Sequence, residues 1–113
     1  MNLHGRPTSE ELVEAVREFL EHDVMDATEG RIQFHTRVAV NVLGMVQREI
    51  ELGPAQEAAH RERLDALGFE SDAELAAAIR RGDIDDRYDE IKSSVYDSVV
   101  DKLRVANPKY LQP

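Results

Sequence analysis

Apolar and polar positions follow a helical period along nearly the whole chain. Near its start, apolar residues recur at spacings of three and four: Leu12, Val13, Val16, Phe19, Leu20 and Val24. Acidic residues hold the opposite face, which is typical of an amphipathic surface helix. Thr8 and Glu11 have the spacing of a capping box, so we predict that this first helix begins just after Thr8.

The stretch from Arg31 to Arg48 is apolar around more than half of a helical circumference. Its apolar face comprises Ile32, Phe34, Val38, Ala39, Val42, Leu43, Met45, Val46 and Ile50. A helix covered so widely is expected at the centre of a fold, which predicts a central helix over residues 31–52. Gly44 costs this helix about 1 kcal/mol relative to alanine and indicates a close approach by another backbone, such as that of the third helix.

The second half of the chain predicts three more helices. Gly53-Pro54 is typical of a corner and would start an alanine-rich third helix that ends near Gly68. Ser71 and Glu74 form a second capping box, which opens a short helix before Gly82. A last helix, capped by acidic side chains, would bury an apolar stripe; the caps and the stripe are Asp83, Asp85, Asp86, Ile91, Val95, Val99, Leu103 and Ala106.

No segment has the pattern of a strand, since the β-branched run from Val38 to Val42 lies inside a longer helical pattern. The sequence therefore predicts an all-α fold. We expect residues 1–113 to form a single-domain bundle of about five helices around the central apolar helix.

Composition narrows the possible functions. The 113 residues include 23 acidic and 14 basic residues, a formal net charge of −9, which repels a nucleic-acid backbone. There is no cysteine, which excludes disulfides and thiolate chemistry. No apolar run approaches the ~20 residues of a membrane span. We therefore expect an acidic, cytoplasmic protein that binds neither nucleic acid nor membrane.

The central helix carries the candidate contact residues. His35 falls in the apolar sector, where an unsatisfied imidazole would cost about 1–3 kcal/mol, so we expect it to bind a carboxylate or a carbonyl. Asn41 lies beside Arg37 and Arg48 at the edge of this sector. That strip could accept a partner's carboxylate, or it could bind water and neighbouring acids. With Arg31, these residues are the candidates for ligand or partner contact.

Motifs for catalysis and cofactor binding are missing. His22 and Asp26 lie four residues apart near other acids, but no HExxH motif accompanies them, so no metal site is predicted. The chain also lacks the G-x-S-x-G elbow of serine hydrolases and the glycine-rich loops of nucleotide-binding proteins. We expect no cofactor and assign no catalytic residue.

Three segments resemble an uncharacterised bacterial family of small all-helical proteins that carry a domain of unknown function. They read RPTSEELVEAVREFLEHDV, GRIQFHTRVAVNVLGMVQREIELGP and KLRVANPKYL. The middle segment, from Gly30 through Arg37 and Asn41 to Pro54, is the most specific. Members of that family are encoded beside aminoglycoside-phosphotransferase-like kinases and acyl-CoA dehydrogenases. The resemblance therefore implies a helical fold and one of these enzymes as a partner, but no catalytic residue.

Two functions of different classes follow as hypotheses. The first is a non-catalytic accessory or protein-interaction module, with a phosphotransferase-like kinase or an acyl-CoA dehydrogenase as its partner. The alternative is a small enzyme or ligand-binding helical bundle with a pocket around His35 and Asn41, assisted by Arg31 and Arg37. A homodimer formed through the first or last helix is a third possibility.

Overall fold

The computed structural model describes Leu3 and residues 5–113, and these residues form helices and turns without a strand. The elements are α1 (Ser9–Glu18), a π-helical segment (Phe19–Val24), α2 (Gly30–Leu67), α3 (Asp72–Arg81), a 3₁₀ turn (Asp85–Arg87), α4 (Tyr88–Ala106) and a second 3₁₀ turn (Pro108–Leu111). The all-α prediction is confirmed. None of the helices described is both long and apolar in the way a membrane span requires.

The chain divides into two compact units at the Gly53-Pro54 step. Unit 1 runs to Gly53 and contains α1, the π-helical segment and the first part of α2. Unit 2 runs from Pro54 to Pro113 and contains the rest of α2 with α3 and α4. The single-domain description of the chain stays a prediction.

The predicted corner at Gly53-Pro54 is wrong, because α2 continues through both residues for 38 residues. Glycine ends a helix when it takes a positive φ, as Gly68 and Gly82 do at 90° and 76°. Gly53 does not take a positive φ. Pro54 lacks a backbone N–H, so α2 loses one backbone hydrogen bond at this position. The helix nevertheless continues on both sides of Pro54. The predicted second and third helices are therefore one helix, and the count of about five is too high.

Two predicted helix starts are confirmed by their caps. The Thr8 hydroxyl accepts the Glu11 N–H at 3.2 Å, and the Glu11 carboxylate accepts the Thr8 N–H at 3.1 Å. The Ser71 hydroxyl accepts the Glu74 N–H at 3.2 Å. Glu74 departs from a full capping box, because its carboxylate accepts the N–H of Glu70 instead of that of Ser71.

The predicted cap of the last helix is wrong. The N-cap of α4 is Arg87, and no side chain caps it. Asp85 instead begins the 3₁₀ turn that precedes α4. This turn supplies the last bend of the chain before α4, and the Arg87 N–H donates to the Ile84 carbonyl at 2.9 Å within it.

In unit 1, α2 buries a face different from the predicted one. The buried residues are Thr36, Val40 and Gly44, which recur every four positions. Phe34 and Val42, by contrast, are 58% and 50% exposed. Thr36 is tolerated because its hydroxyl donates to the Ile32 carbonyl at 2.7 Å. The structure thus contradicts the prediction of a central helix that buries its apolar face.

Side chains of α1 and α2 meet above Gly44. Arg17 of α1 donates from Nη1 to Oε1 of Gln47 at 2.9 Å. A Cβ added at Gly44 would lie 3.4 Å from Arg48 Nη1 and 3.9 Å from Arg17 Cζ. Gly44 therefore leaves room for two guanidinium groups, and the predicted approach of another backbone is wrong.

Unit 2 has an apolar core of its own. It consists of Leu64, Leu67, Leu75 and Ile91, with Phe69 and Ile84 packed against it. Of the predicted α4 stripe only Ile91 is fully buried; Val95 and Val99 are 40% and 47% exposed. The core thus joins the end of α2 to α3 and the start of α4, while the middle of α4 is accessible.

Candidate functional site

Unit 1 has a row of exposed apolar residues on α2, which we call the α2 stripe: Phe34, Val38, Val42 and Met45. The spacings of four, four and three place these residues on one helical face. All four side chains are at least 36% exposed. Single exposed apolar residues are ordinary on protein surfaces, whereas large contiguous apolar patches are frequent at interaction sites, which makes the α2 stripe a candidate contact surface.

On α1 a second row is also accessible, with Leu12, Val16 and Phe19 between 52% and 56% exposed. These residues lie on one face of α1, with the helical spacing that the sequence predicts. Each helix of unit 1 therefore presents a row of large apolar side chains on its accessible face.

The predicted contact residues lie along or beside the α2 stripe. Arg31, His35, Arg37 and Asn41 are exposed, and Arg48 is partly buried. The His35 ring stands edge-on to the Phe34 ring, with 5.5 Å between centroids and 76° between planes. The predicted burial of His35 is wrong, because α2 turns the opposite face inward and leaves the imidazole accessible to water.

These residues do not converge on one point of the helix. At about 100° per residue, Arg37, Asn41 and Arg48 lie within about 40° of one another, on one side of the α2 stripe. His35 lies about 120° around the helix from Asn41, on its other side. The geometry thus groups three of the five residues, and a ligand pocket shared by His35 and Asn41 stays a prediction that it does not favour.

The segment that carries the α2 stripe is locally basic. From Gly30 to Arg48 the sequence contains three arginines and no carboxylate, although the whole chain carries a net charge of −9. Residues 30–48 are the longest stretch of the chain without a carboxylate. An apolar row with a cationic border suits a partner surface with an acidic border.

Unit 2 contains a polar cluster that the sequence analysis missed. Nδ1 of His60, on α2, lies 2.7 Å from Oγ of Ser98 on α4. Nε2 of the same ring lies 2.7 Å from Oδ1 of Asp72, the first residue of α3. One imidazole therefore connects three helices through a hydroxyl and a carboxylate.

The Asp72 carboxylate sets the direction of these hydrogen bonds. Because a carboxylate only accepts, the neutral His60 ring carries its hydrogen on Nε2 and donates it to Asp72. Nδ1 is then the acceptor for the Ser98 hydroxyl, and Ser98 Oγ also accepts from Arg63 Nη1 at 3.0 Å. The result is an ordered relay in which the serine hydroxyl donates to the imidazole and the imidazole donates to the aspartate.

Arg63 is itself held in place by a second acid. Its Nη2 lies 3.0 Å from Asp101 Oδ2, and the two side chains are 23% and 15% exposed. Arg104 donates to the other oxygen of Asp101 at 3.2 Å. Gln56 donates to the Asp101 backbone carbonyl at 2.8 Å. The guanidinium beside Ser98 is therefore fixed by partly buried contacts on two helices.

The relay lies at the wall of a cleft of about 410 Å³. Its apolar lining is contributed by Leu75, Val95 and Val99, and Lys102 adds a second cation one helical turn after Ser98. Clefts of this size hold small molecules. Within the described part of the chain, no group of three or more histidines and acids is arranged to hold a metal ion.

A sequence signal for this cluster exists but is incomplete. Gln56, His60 and Arg63 are spaced four and three apart, and Ser98 and Asp101 are three apart. Each set is a polar row on one helix face. Only the packing of the helices shows that the two rows face each other, and that Asp72 reaches the same imidazole.

A comparison with protein-family models matches residues 26–110 to the family described as "Domain of unknown function (DUF6285)". The matched range contains the α2 stripe and the whole His60 cluster. Neither the curated proteins nor the solved structures give a match to the chain.

Proposed function

This chain belongs to the DUF6285 family, and we propose that it serves as an accessory protein-interaction module that binds its partner through the α2 stripe. The observation that carries this proposal is the exposure of Phe34, Val38 and Val42 at 58%, 44% and 50%. Burying such side chains against a partner contributes about 25 cal/mol per Å² of apolar area. A helix face with anchors at these spacings fits a hydrophobic groove.

The bordering charges select the partner surface. Arg37 and Asn41 flank the stripe on one side, and no carboxylate of residues 30–48 opposes them. A groove rimmed by acidic residues would be attracted over several ångströms, and basic or neutral grooves would be disfavoured.

The proposed partner at the α2 stripe is a phosphotransferase-like kinase, which is a partner class implied by the family resemblance. In this interaction unit 1 catalyses no reaction. The exposed histidine and arginines of unit 1 act as contact residues. An acyl-CoA dehydrogenase and a second copy of the chain are the competing occupants, and the experiment distinguishes them.

Co-expression with a phosphotransferase-like kinase and, separately, with an acyl-CoA dehydrogenase, followed by affinity capture, tests the proposal. Wild-type chain should retain the kinase, and Val42→Glu should weaken binding about tenfold or more, because it places a charge in the apolar contact. Ile79→Glu is the matched control: Ile79 is 47% exposed on α3, and this variant should bind like wild type.

Arg37→Glu should act differently from Val42→Glu. Reversal of a border charge mainly slows association and removes part of the salt dependence. Surface plasmon resonance at two salt concentrations measures both effects.

Three results would overturn the proposal. The first is kinase capture at background level. The second is a dimer in light scattering that Val42→Glu dissociates, which would assign the stripe to a second copy. The third is a large loss of thermal stability in the isolated Val42→Glu chain, which would mean that the stripe is covered within the protein itself.

A further inference from the structure

The geometry points to a second role, independent of the α2 stripe: Ser98 is a nucleophile, activated by His60 and positioned through Asp72, that accepts the acyl group of a small uncharged ester bound in the unit 2 cleft. Nucleophile, base and orienting acid are all within hydrogen-bond distance, at 2.7 Å for both links. Such arrangements are recognised by geometry, whatever the order of the residues in the chain. The missing G-x-S-x-G elbow therefore does not decide against it.

The hydrogen-bond direction is the one that the chemistry needs. Asp72 holds the hydrogen of the neutral ring on Nε2, so Nδ1 accepts the hydrogen of the Ser98 hydroxyl. His60 can take this proton when the serine attacks, and the Asp72 carboxylate on the other side of the ring stabilises the imidazolium that forms. A histidine with the opposite tautomer would present a hydrogen to the serine and could not act as its base.

Cations take the place of the backbone donors that usually stabilise the oxyanion. Ser98 lies inside α4, where backbone N–H groups are engaged in the helix. Arg63 Nη1 is 3.0 Å from the reacting oxygen, and Lys102 lines the same cleft. Both can stabilise negative charge that develops on a substrate carbonyl oxygen in contact with Ser98.

The cleft indicates the class of substrate. Leu75, Val95 and Val99 line the cleft that contains Ser98 and would bury a short apolar acyl group. Glu57, Asp72 and Asp101 also belong to the lining, so an anionic substrate would meet carboxylates on several sides. An uncharged ester avoids this repulsion.

The reaction balances without a cofactor. A bond forms between Ser98 Oγ and the acyl carbon while the hydroxyl proton moves to His60 Nδ1. The bond from the acyl carbon to the alcohol oxygen breaks, and Nδ1 returns the proton to that oxygen. Water then attacks the acyl carbon and gives a proton to Nδ1, and Oγ leaves and recovers it. The sum is ester plus water to carboxylic acid plus alcohol.

A fluorophosphonate probe tests the nucleophile directly. Incubation of the whole chain should add one phosphonyl group, located on Ser98 by peptide mapping, and Ser98→Ala should abolish the addition. Ser94→Ala is the matched control, because Ser94 is half-buried one turn earlier on the same helix and should label like wild type.

The base and the positioning residue are tested through the labelling rate. His60→Ala should slow labelling by about 100-fold, which is the lower range for a lost general base. Asp72→Asn should slow it by about tenfold, because the Asp72 side chain is 75% exposed and its charge is partly screened. The exposed position of Asp72 makes this variant informative even if His60→Ala unfolds.

Hydrolysis of p-nitrophenyl butyrate supplies the second readout. Wild type should release nitrophenol faster than Ser98→Ala and should accumulate an acyl group on Ser98. A network that only holds the helices together would leave Ser98 unreactive. Labelling of Ser98 no faster than that of Ser94, or labelling unchanged in both His60→Ala and Asp72→Asn, would overturn the inference without affecting the proposal for the α2 stripe.

Discussion

Unit 1 and unit 2 differ in how many of their large apolar residues they bury. Unit 2 buries Leu64, Leu67, Leu75 and Ile91 to within 4–8% exposure and leaves a polar relay at the wall of its cleft. Unit 1 buries a threonine, a valine and a glycine of α2, and exposes rows of large apolar side chains on α1 and α2. The difference separates a unit with a buried core of large apolar residues from a unit in which many of them are exposed.

Polar groups show the same contrast. In unit 2, Arg63 and Asp101 form an ion pair whose two side chains are less than a quarter exposed. In unit 1, the ion pair between Arg6 and Glu11 is at the surface, with side chains 80% and 40% exposed. Ordered polar contacts inside unit 2 therefore fix the geometry of a site, whereas the surface pair of unit 1 supports the start of a helix.

Truncation of one leucine in each unit should produce the largest difference. Leu67 is 4% exposed and Leu12 is 53% exposed. Leu67→Ala should lower the free energy of unfolding by about 2–5 kcal/mol because it leaves a cavity, whereas Leu12→Ala should change it by less than about 0.5 kcal/mol. Urea unfolding of both variants measures this, and equal losses would remove the contrast between the units.

Alanine at one glycine of each unit should give effects of opposite sign. Gly44→Ala should raise the free energy of unfolding by about 0.5–1 kcal/mol, because helix propensity improves and the nearest atom is the flexible end of Arg48 at 3.4 Å. Gly82→Ala should lower it by about 1 kcal/mol, since Gly82 has a φ of 76° and Asp85 Oδ2 would lie 3.2 Å from the new Cβ. Thermal unfolding compares the two, and a destabilised Gly44→Ala would show that the guanidinium groups cannot move aside.

Lowering the pH should give the smallest of these effects on stability, and this effect should be confined to the start of α1. Hydrogen bonds from Arg6 and then from the Thr8 N–H lower the pKa of Glu11 to about 2. A lowered pKa in the folded state means that this contribution to stability is present above the ordinary carboxyl pKa and is lost as the pH falls towards 2.

NMR titration of the side-chain carboxyl carbons checks this pKa. Arg6→Ala should move the Glu11 pKa upward, towards its ordinary value. In unit 2 the hydrogen bond from Arg87 also lowers the pKa of Glu90, and Arg6→Ala should leave that pKa unchanged. A wild-type Glu11 that titrates near the ordinary carboxyl value of about 4.3 would contradict the Arg6 contact.

Local signals predicted the caps at Thr8 and Ser71 correctly, but they failed at the Gly53-Pro54 step and at the cap of the last helix. Thr8 and Ser71 cap as predicted because their bonds reach only three residues along the chain. The Gly53-Pro54 step failed as a helix end because its outcome depends on whether the glycine takes a positive φ, which residue type permits but does not require.

The candidate sites also combine features that the sequence shows with features that it does not show. The apolar row of α2 can be read from spacing, and so can the position of Arg37 and Asn41 beside it; their role as contact residues stays a prediction. The side of α2 that turns inward could not be read, because Thr36 satisfies its own hydroxyl within the helix and Gly44 admits the side chain of Arg17. His35 was therefore assigned to the interior although it is exposed.

The sequence by itself determined an all-α chain, the starts of α1 and α3, and an acidic net charge, because these properties depend on composition and on contacts a few residues apart. The tertiary structure decided which face of α2 is covered and which residues meet in unit 2. His60 contacts residues 12 and 38 positions away, and no local periodicity specifies which helix faces which. Packing alone brings Ser98, His60 and Asp72 together, since each lies on a different helix.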